Sequence, residues 1–410
     1  MLVRTVARFS SFVHSPRTII DVRETLERHV AAMKSQKIIQ WQPDQTVGST
    51  AASKSRALCV IPLGSQPEIR DEYLNHRETT RFGKILEDLD TFAVYTAYKH
   101  NQMGQPLGEP THHQMLIVTA AVDRIDVQNT KIRSNEDIEM HGRVTWVGRS
   151  SLESTMILKQ KNEHGHKQEI LTAKFVMASR STTGNSAVPN LRIETQSADE
   201  IERFEQGKHA HLVRRDRESH SLLRELPTEI ERTLMHDLFL RTLDPNNQTR
   251  RDPPNGCVWM QDAQLRNCVL CYPIERNLYG KIFGGYLMRI AMETAWGNAA
   301  IFSKSRPKLM AVGHIKFEKS VEVGAILLFH SQVSYSTDRF MQVSVEAQVL
   351  DVEKQTCELT NTFQFTFKAE STVPFVMPKS YADGIVYLNG RRHFNRSAHE
   401  KVYSNHSFFA

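Results

Sequence analysis

One long helical pattern followed by four long strand patterns occurs twice in this chain, and that duplication limits the possible folds more than any other feature. The first helix reads from Phe82 through His100. Phe82, Leu86, Leu89, Ala93 and Ala97 share one arc, with Glu87 and Asp88 well outside it. Strand patterns follow over Met115–Ile125, Ile138–Val147, Leu152–Gln160 and Ile170–Ser179. The second helix reads from about Gly284 through Phe302 and is apolar nearly all round, so it must be enclosed. Its strands follow over Leu309–Phe317, Ala325–Tyr335, Phe340–Leu350 and Cys357–Phe367. Val144, Trp146 and Leu152 match Val333, Tyr335 and Met341 at a constant offset, and Leu171, Thr172 and Phe175 match Leu359, Thr360 and Phe363 almost as well. The expected architecture is α+β, with each unit a helix wrapped by a curved antiparallel sheet. Such a unit leaves a sheet edge to be paired, and two units in one chain can join edge to edge.

The remaining segments read differently. Residues 1–20 carry Arg4, Arg8 and Arg17 with no acid before Asp21, and Leu2, Val6, Phe9 and Val13 lie on one helical face. This is the pattern of a mitochondrial presequence, and the matrix is the expected destination. Residues 21–70 read as a loop-rich segment, 71–185 as the first unit, 190–255 as a charged helical connector, 257–372 as the second unit and 373–410 as a polar, mobile tail. Within the connector, helices are expected over Ala198–Gln206 and Pro227–Leu243. The run Arg214, Arg215, Asp216, Arg217 is interrupted by acid and lacks interleaved aromatics, so it reads as a solvated face, with no nucleic-acid partner.

Composition excludes other classes. The 52 basic and 46 acidic residues are interspersed and give a net charge of +6, which permits an anionic ligand without demanding one. Every apolar stretch is broken before the ~18 residues of a membrane span, so no integral membrane segment is expected. Five cysteines do not make a disulfide framework. Cys268 and Cys271 form a lone C-x-x-C with no second ligand pair, so no metal site is expected and the cysteines read as packed.

The sharpest local signal runs from Asn277 through Gly280, Gly284 and Gly285 to Met288 and opens the apolar helix. Glycines there let a substrate approach the backbone, and the unpaired N–H groups of a first helical turn can receive an oxyanion. With this motif, the repeated strands and the basic N-terminus, the chain resembles the two-hotdog acyl-coenzyme A thioesterases, and among them the mitochondrial type-nine group. The resemblance extends to Arg81–Asp90, Met260, Pro273–Asn277, Val321–Gly324 and Arg391–Phe394, covering about residues 70–394.

It implies tandem hotdog domains and a hydrolase that splits fatty acyl-CoA into free acid and CoA without a cofactor. It further implies an Asn from one unit opposite an acid on the helix of the other. The acid stands seven residues after the last Gly of the helix start, giving Asp90 in the first unit and Met292 in the second. The Asn stands eight residues before that Gly, giving Asn277 and Asn75. Asp90 with Asn277 is thus the complete catalytic pair, with Gly284 and Gly285 as oxyanion and substrate-binding positions. Asn75 faces a Met, and a second site would need Glu293, which has Arg289 one turn earlier as a salt-bridge partner.

From spacing alone Asp90 reads equally as a solvated acid or as a partly desolvated base with a raised pKa. It could activate a water or attack the carbonyl to form an anhydride, and Asn277 could orient that water or bind the thioester oxygen. Assembly into a homo-oligomer is expected from the resemblance. The competing functions are a hotdog enoyl-CoA hydratase, which would call for a His that neither helix start supplies, and a non-catalytic acyl-CoA-binding protein.

Overall fold

The computed structural model describes residues 17–35, 47–107, 115–127, 132–182, 186–244, 246–277 and 279–404. The chain opens with α1 (Ile19–Ser35), β1 (Ser49–Ala51), β2 (Ala57–Ile61) and α2 (Pro67–Tyr73). The long helix α3 (Phe82–Asn101) precedes β3 (Leu116–Val122), β4 (Ile125–Val127), β5 (Ile138–Val147), β6 (Ser151–Lys161), β7 (Lys167–Arg180), β8 (Arg192–Glu194) and α4 (Ala198–Ser219). Then come α5 (Glu229–Leu240), β9 (Leu243–Asp244), β10 (Asn247–Arg251), β11 (Cys257–Trp259) and β12 (Gln264–Leu270). The second long helix is α6 (Gly284–Ser303). It is followed by β13 (Lys308–Val312), β14 (Ile315–Phe317), β15 (Ile326–Thr337), β16 (Phe340–Asp351), β17 (Thr356–Lys368), β18 (Phe375–Met377) and α7 (Tyr381–Ser404).

The two halves share one antiparallel sheet of 12 strands, ordered β12, β15, β16, β17, β13, β4, β7, β6, β5, β2, with β14 bridging β17 and β3. They join through β13 with β4 and β14 with β3, so the edges that each half would expose alone are paired. Bulges recur at equivalent places, at Thr119/Ala121 in β3 and Leu309/Ala311 in β13, and at Val144/Trp146 in β5 and Val333/Tyr335 in β15. They fix the alignment of the halves residue by residue. On each sheet half lies its own helix, and α3 also packs on α6. Phe92 and Phe175 fill one core, and Phe329, Phe363 and Phe365 the other, all fully buried.

Each half is larger than its sequence pattern suggests. Parallel pairs of β1 with β8 and β11 with β18 extend both halves beyond 71–185 and 257–372. The expected connector and tail supply equivalent outer helices: α4 covers β5, and α7 covers β15 and β16. Trp146 stacks on His211 of α4, while Tyr335 meets Tyr387 and Phe394 of α7. Gly390 allows the second approach, since a Cβ there would stand 2.5 Å from the Ser334 hydroxyl. The mobile tail is therefore replaced by a docked helix over Tyr381–Ser404, because its aromatic residues cover an outer sheet face that a strand pattern alone does not reveal. Likewise α4 runs to Ser219, well past Gln206, and Arg214 turns inward to pair with Asp123 and Glu153 instead of lining a solvated face.

The segment over 21–70 is also more ordered than a loop-rich reading allows. Ile19, Val22, Leu26 and Val30 of α1 are buried, Thr18 pairs with Val60, and Arg23 pairs with Asp88. The leader expected over 1–20 lies outside the described residues up to position 16, and its last four residues belong to the folded body. Among the described residues no helix is long and apolar enough to cross a membrane, and no cluster of three His, Cys, Asp or Glu suits a metal. Cys59 and Cys271 are buried as packed residues should be, but Cys268 and Cys357 are exposed, each in a stretch of strand whose consecutive residues are exposed on both faces.

Candidate active site

Asp90 lies in the third turn of α3, where that helix crosses the start of α6. It is 1% exposed. Its Oδ1 accepts from the Thr119 hydroxyl of β3, and its carboxylate accepts from the Gly285 N–H. Burial pushes its pKa up to about 6; the Thr119 and Gly285 hydrogen bonds pull it down, and the nearby Glu87 charge pushes it up. A Cβ on Gly284 would stand 3.2 Å from Asp90 Oδ2, and one on Gly285 2.8 Å from the Glu87 Cα. Both glycines therefore let the helices close on each other, and the first turn of α6 brings its unpaired N–H groups to the carboxylate. Gly285 spends its N–H on Asp90, which leaves that of Gly284 on the same turn.

Glu87 and Arg289 occupy equivalent positions on the two helices and pair across the crossing at 2.7 Å, with Lys84 at 2.9 Å from Glu87. Glu87 is 6% exposed and Asp88 0% exposed, so neither is the solvated acid that the helical wheel suggests. Asp88 accepts from Arg23 and, at 2.5 Å, from the Tyr73 hydroxyl. Partners contributed by α1, α2 and α6 make these burials affordable, and a wheel drawn on α3 alone contains none of them.

Asn277 lies in the turn before α6. Its Oδ1 accepts from the Tyr279 N–H at 2.9 Å and the Lys281 N–H at 3.1 Å. With the oxygen so committed, the side chain presents its NH₂ as a donor. Asn277 does not hydrogen-bond Asp90. Its turn is carried to the same face of the first half by Tyr279, whose hydroxyl bonds that of Tyr98 on α3 and accepts from the Ile117 N–H of β3. Thr119 escapes a reading by motif, although alignment of the repeats contains the signal: a hydroxyl residue in an apolar strand, opposite Leu309 in the other half.

The equivalent location in the other half is different. Met292 replaces Asp90, Leu309 replaces Thr119 and Phe82 replaces Gly284. Gly83 meets Arg289 and Met292 there as Gly285 meets Glu87. Asn75 is exposed and forms the same turn, but its Nδ2 donates to the Thr79 hydroxyl at 2.6 Å. Glu293 pairs with Arg81 at 2.7 Å, with Arg289 farther off at 3.9 Å because the guanidinium turns to Glu87.

A desolvated carboxylate with a raised pKa, set against a glycine-opened helix start, is suited to base-assisted attack on an activated carbonyl. The chain is 38% identical over 385 residues to human mitochondrial acyl-coenzyme A thioesterase 9, covering 92% of this chain and 86% of the relative. It is 36% identical to mouse mitochondrial acyl-coenzyme A thioesterase 10 with the same coverage of each. It belongs to the acyl-coenzyme A thioesterase 9/10 family. Among solved structures, an acyl-CoA hydrolase from Staphylococcus aureus in complex with butyryl-CoA, CoA and CoA disulfide matches 37% of this chain and 96% of its own, at 23% identity and a TM-score of 0.35. No protein-family model matches the chain.

Proposed function

We propose that the protein is a tandem-hotdog thioester hydrolase that splits fatty acyl-CoA into free acid and CoA at a single site per chain, where Asp90 of the first half meets the Asn277 turn of the second. The observation that carries this reading is the enclosed Asp90 carboxylate at the start of α6, with its pKa raised to about 6. Asp90 takes a proton from water as that water attacks the thioester carbon. The carbonyl oxygen becomes an oxyanion, received by the Asn277 NH₂ and the Gly284 N–H. Collapse breaks the carbon–sulfur bond, and the departing CoA thiolate takes up the proton. The acyl chain follows the apolar contact between the halves.

Relatives named as mitochondrial and the basic leader pattern support a mitochondrial location, for which we propose the matrix. Assembly into a homo-oligomer is also proposed: β12 ends the sheet, pairs with β15 on one side only, and leads into exposed Tyr272 and Ile274.

The test is release of CoA thiol across acyl-CoA lengths. Asp90→Asn is expected to lower turnover by ~10²–10⁴-fold, while Glu293→Gln leaves it unchanged. Water addition to an enoyl-CoA without thiol release would instead identify a hydratase, although among the described residues no histidine hydrogen-bonds Asp90 or Asn277. Binding of acyl-CoA with no turnover would identify a binding protein.

A further inference from the structure

Among the described residues of the Asn277 turn, Tyr279 is the one whose side chain hydrogen-bonds into the opposite half, and nothing in the proposed chemistry uses it. Its hydroxyl meets the Tyr98 hydroxyl on α3 and accepts from the Ile117 N–H of β3 at 3.3 Å. Tyr98 is 2% exposed, accepts from the same N–H at 3.2 Å and donates to the Met115 carbonyl at 3.3 Å. The partners are placed with respect to the site. Tyr98 lies two turns beyond Asp90 on α3, roughly 12 Å along the helix, and Ile117 is two residues before Thr119 on β3. Over this stretch no strand among the described residues pairs with the outer side of β3, since β14 pairs with it only at Ala121 and Val122. The Ile117 N–H is met by the two hydroxyls, Tyr98 at 3.2 Å and Tyr279 at 3.3 Å, so Tyr279 joins a contact that binds α3 to β3.

Its backbone does the second half of the work. The Tyr279 N–H donates to Asn277 Oδ1 at 2.9 Å, so the residue that grips the first half also orients the amide. In the other half the equivalent of Tyr279 is Arg77. Its N–H also donates to Asn75 Oδ1 at 2.9 Å, but its side chain is exposed. The grip therefore exists only on the side that holds Asp90.

We propose that Tyr279 is a positioning residue: through Tyr98 and Ile117 it fixes the Asn277 turn against α3 and β3, and so sets where the Asn277 amide stands relative to Asp90. The proposal rests on the hydrolase reading above. A misplacement of about 1 Å can cost a large factor in turnover while substrate binding is little changed.

The experiment is a double-mutant cycle on CoA thiol release with Tyr279→Phe, Asn277→Ala and the pair, each checked for folding by thermal unfolding. Tyr279→Phe is expected to lower kcat about tenfold with KM changed by less than about twofold. In the Asn277→Ala background it should change kcat by less than about twofold, because the residue it serves is gone. Tyr98→Phe, which leaves the Tyr279 ring and its Ile117 bond in place, should give a smaller loss that also vanishes in that background. Full additivity in both cycles, or unaltered kcat in Tyr279→Phe, overturns the proposal and leaves the hydrolase reading intact. Unchanged turnover in Asn277→Ala removes the assignment of Asn277, and this proposal with it.

Discussion

Asp90 and Met292 stand at equivalent positions of two halves that share helices, bulges and outer covering, yet only one of them is a carboxylate. Around Asp90 three positions accommodate a carboxylate: a hydroxyl on Thr119, an N–H from Gly285, and a bare backbone at Gly284. Around Met292 the same positions are Leu309, Gly83 and Phe82. The Asn turns are alike in backbone, but Asn75 gives its Nδ2 to Thr79, whereas Lys281 stands in the place of Thr79 beside Asn277 and offers no hydroxyl. The two locations thus differ in several partners at once, while the scaffold that both halves contribute to the fold is shared.

The contrast can be broken most sharply at the two asparagines. Asn277→Ala is expected to lower turnover by ~10²–10³-fold, as for loss of one oxyanion donor, and Asn75→Ala to leave it unchanged in the thiol-release assay. Equal losses in both would mean that two sites work. A second effect is on stability. Asp90 has a folded pKa of about 6 against an ordinary value of 3.8, so the folded state holds its proton more tightly, and the charge that forms as pH rises through 6 opposes folding. Asp90→Asn should therefore stabilise the protein at pH 7.5 by at most about 3 kcal/mol, seen as a higher Tm, in exchange for its activity. Met292→Ala, which only opens a cavity, should lower Tm.

The smallest effect concerns the acid limb of the pH profile. With Asp90 as base, kcat/KM should fall as pH drops through about 6, where the carboxylate protonates. The charges facing it belong to Glu87 on its own helix, paired to Arg289 of α6 and Lys84 of α3. Glu87→Gln removes the neighbouring negative charge and should move that limb to lower pH, whereas Arg289→Gln should move it higher. A limb that ignores both substitutions would detach the helix crossing from the chemistry.

Much of this was legible in the chain. The two long helices end within one residue of their expected limits, and Ile138–Val147 is found as read, because both patterns are periodic and local. The family resemblance, applied to both helix starts, pointed to Asp90 and to Met292 at the equivalent position, whereas spacing alone left Asp90 open. What stayed hidden has a common cause. Glu87, Asp88 and Arg214 are polar by composition and buried in fact, each beside a partner 65 or more positions away. The docking of α1, α4 and α7 depends likewise on faces that exist only once a sheet has formed.

Sequence alone determined the duplicated helix-and-sheet plan, the glycine-opened start of α6 and the one-sided distribution of acid between the halves, since periodicity and residue identity carry all three. Tertiary structure decided that Asp90 is desolvated, that Thr119 and Gly285 hold it, and that the Asn277 oxygen is taken by the Tyr279 and Lys281 N–H groups. Those properties belong to groups brought together across the joint, and a carboxylate's basicity is set by what surrounds it, not by what precedes it in the chain.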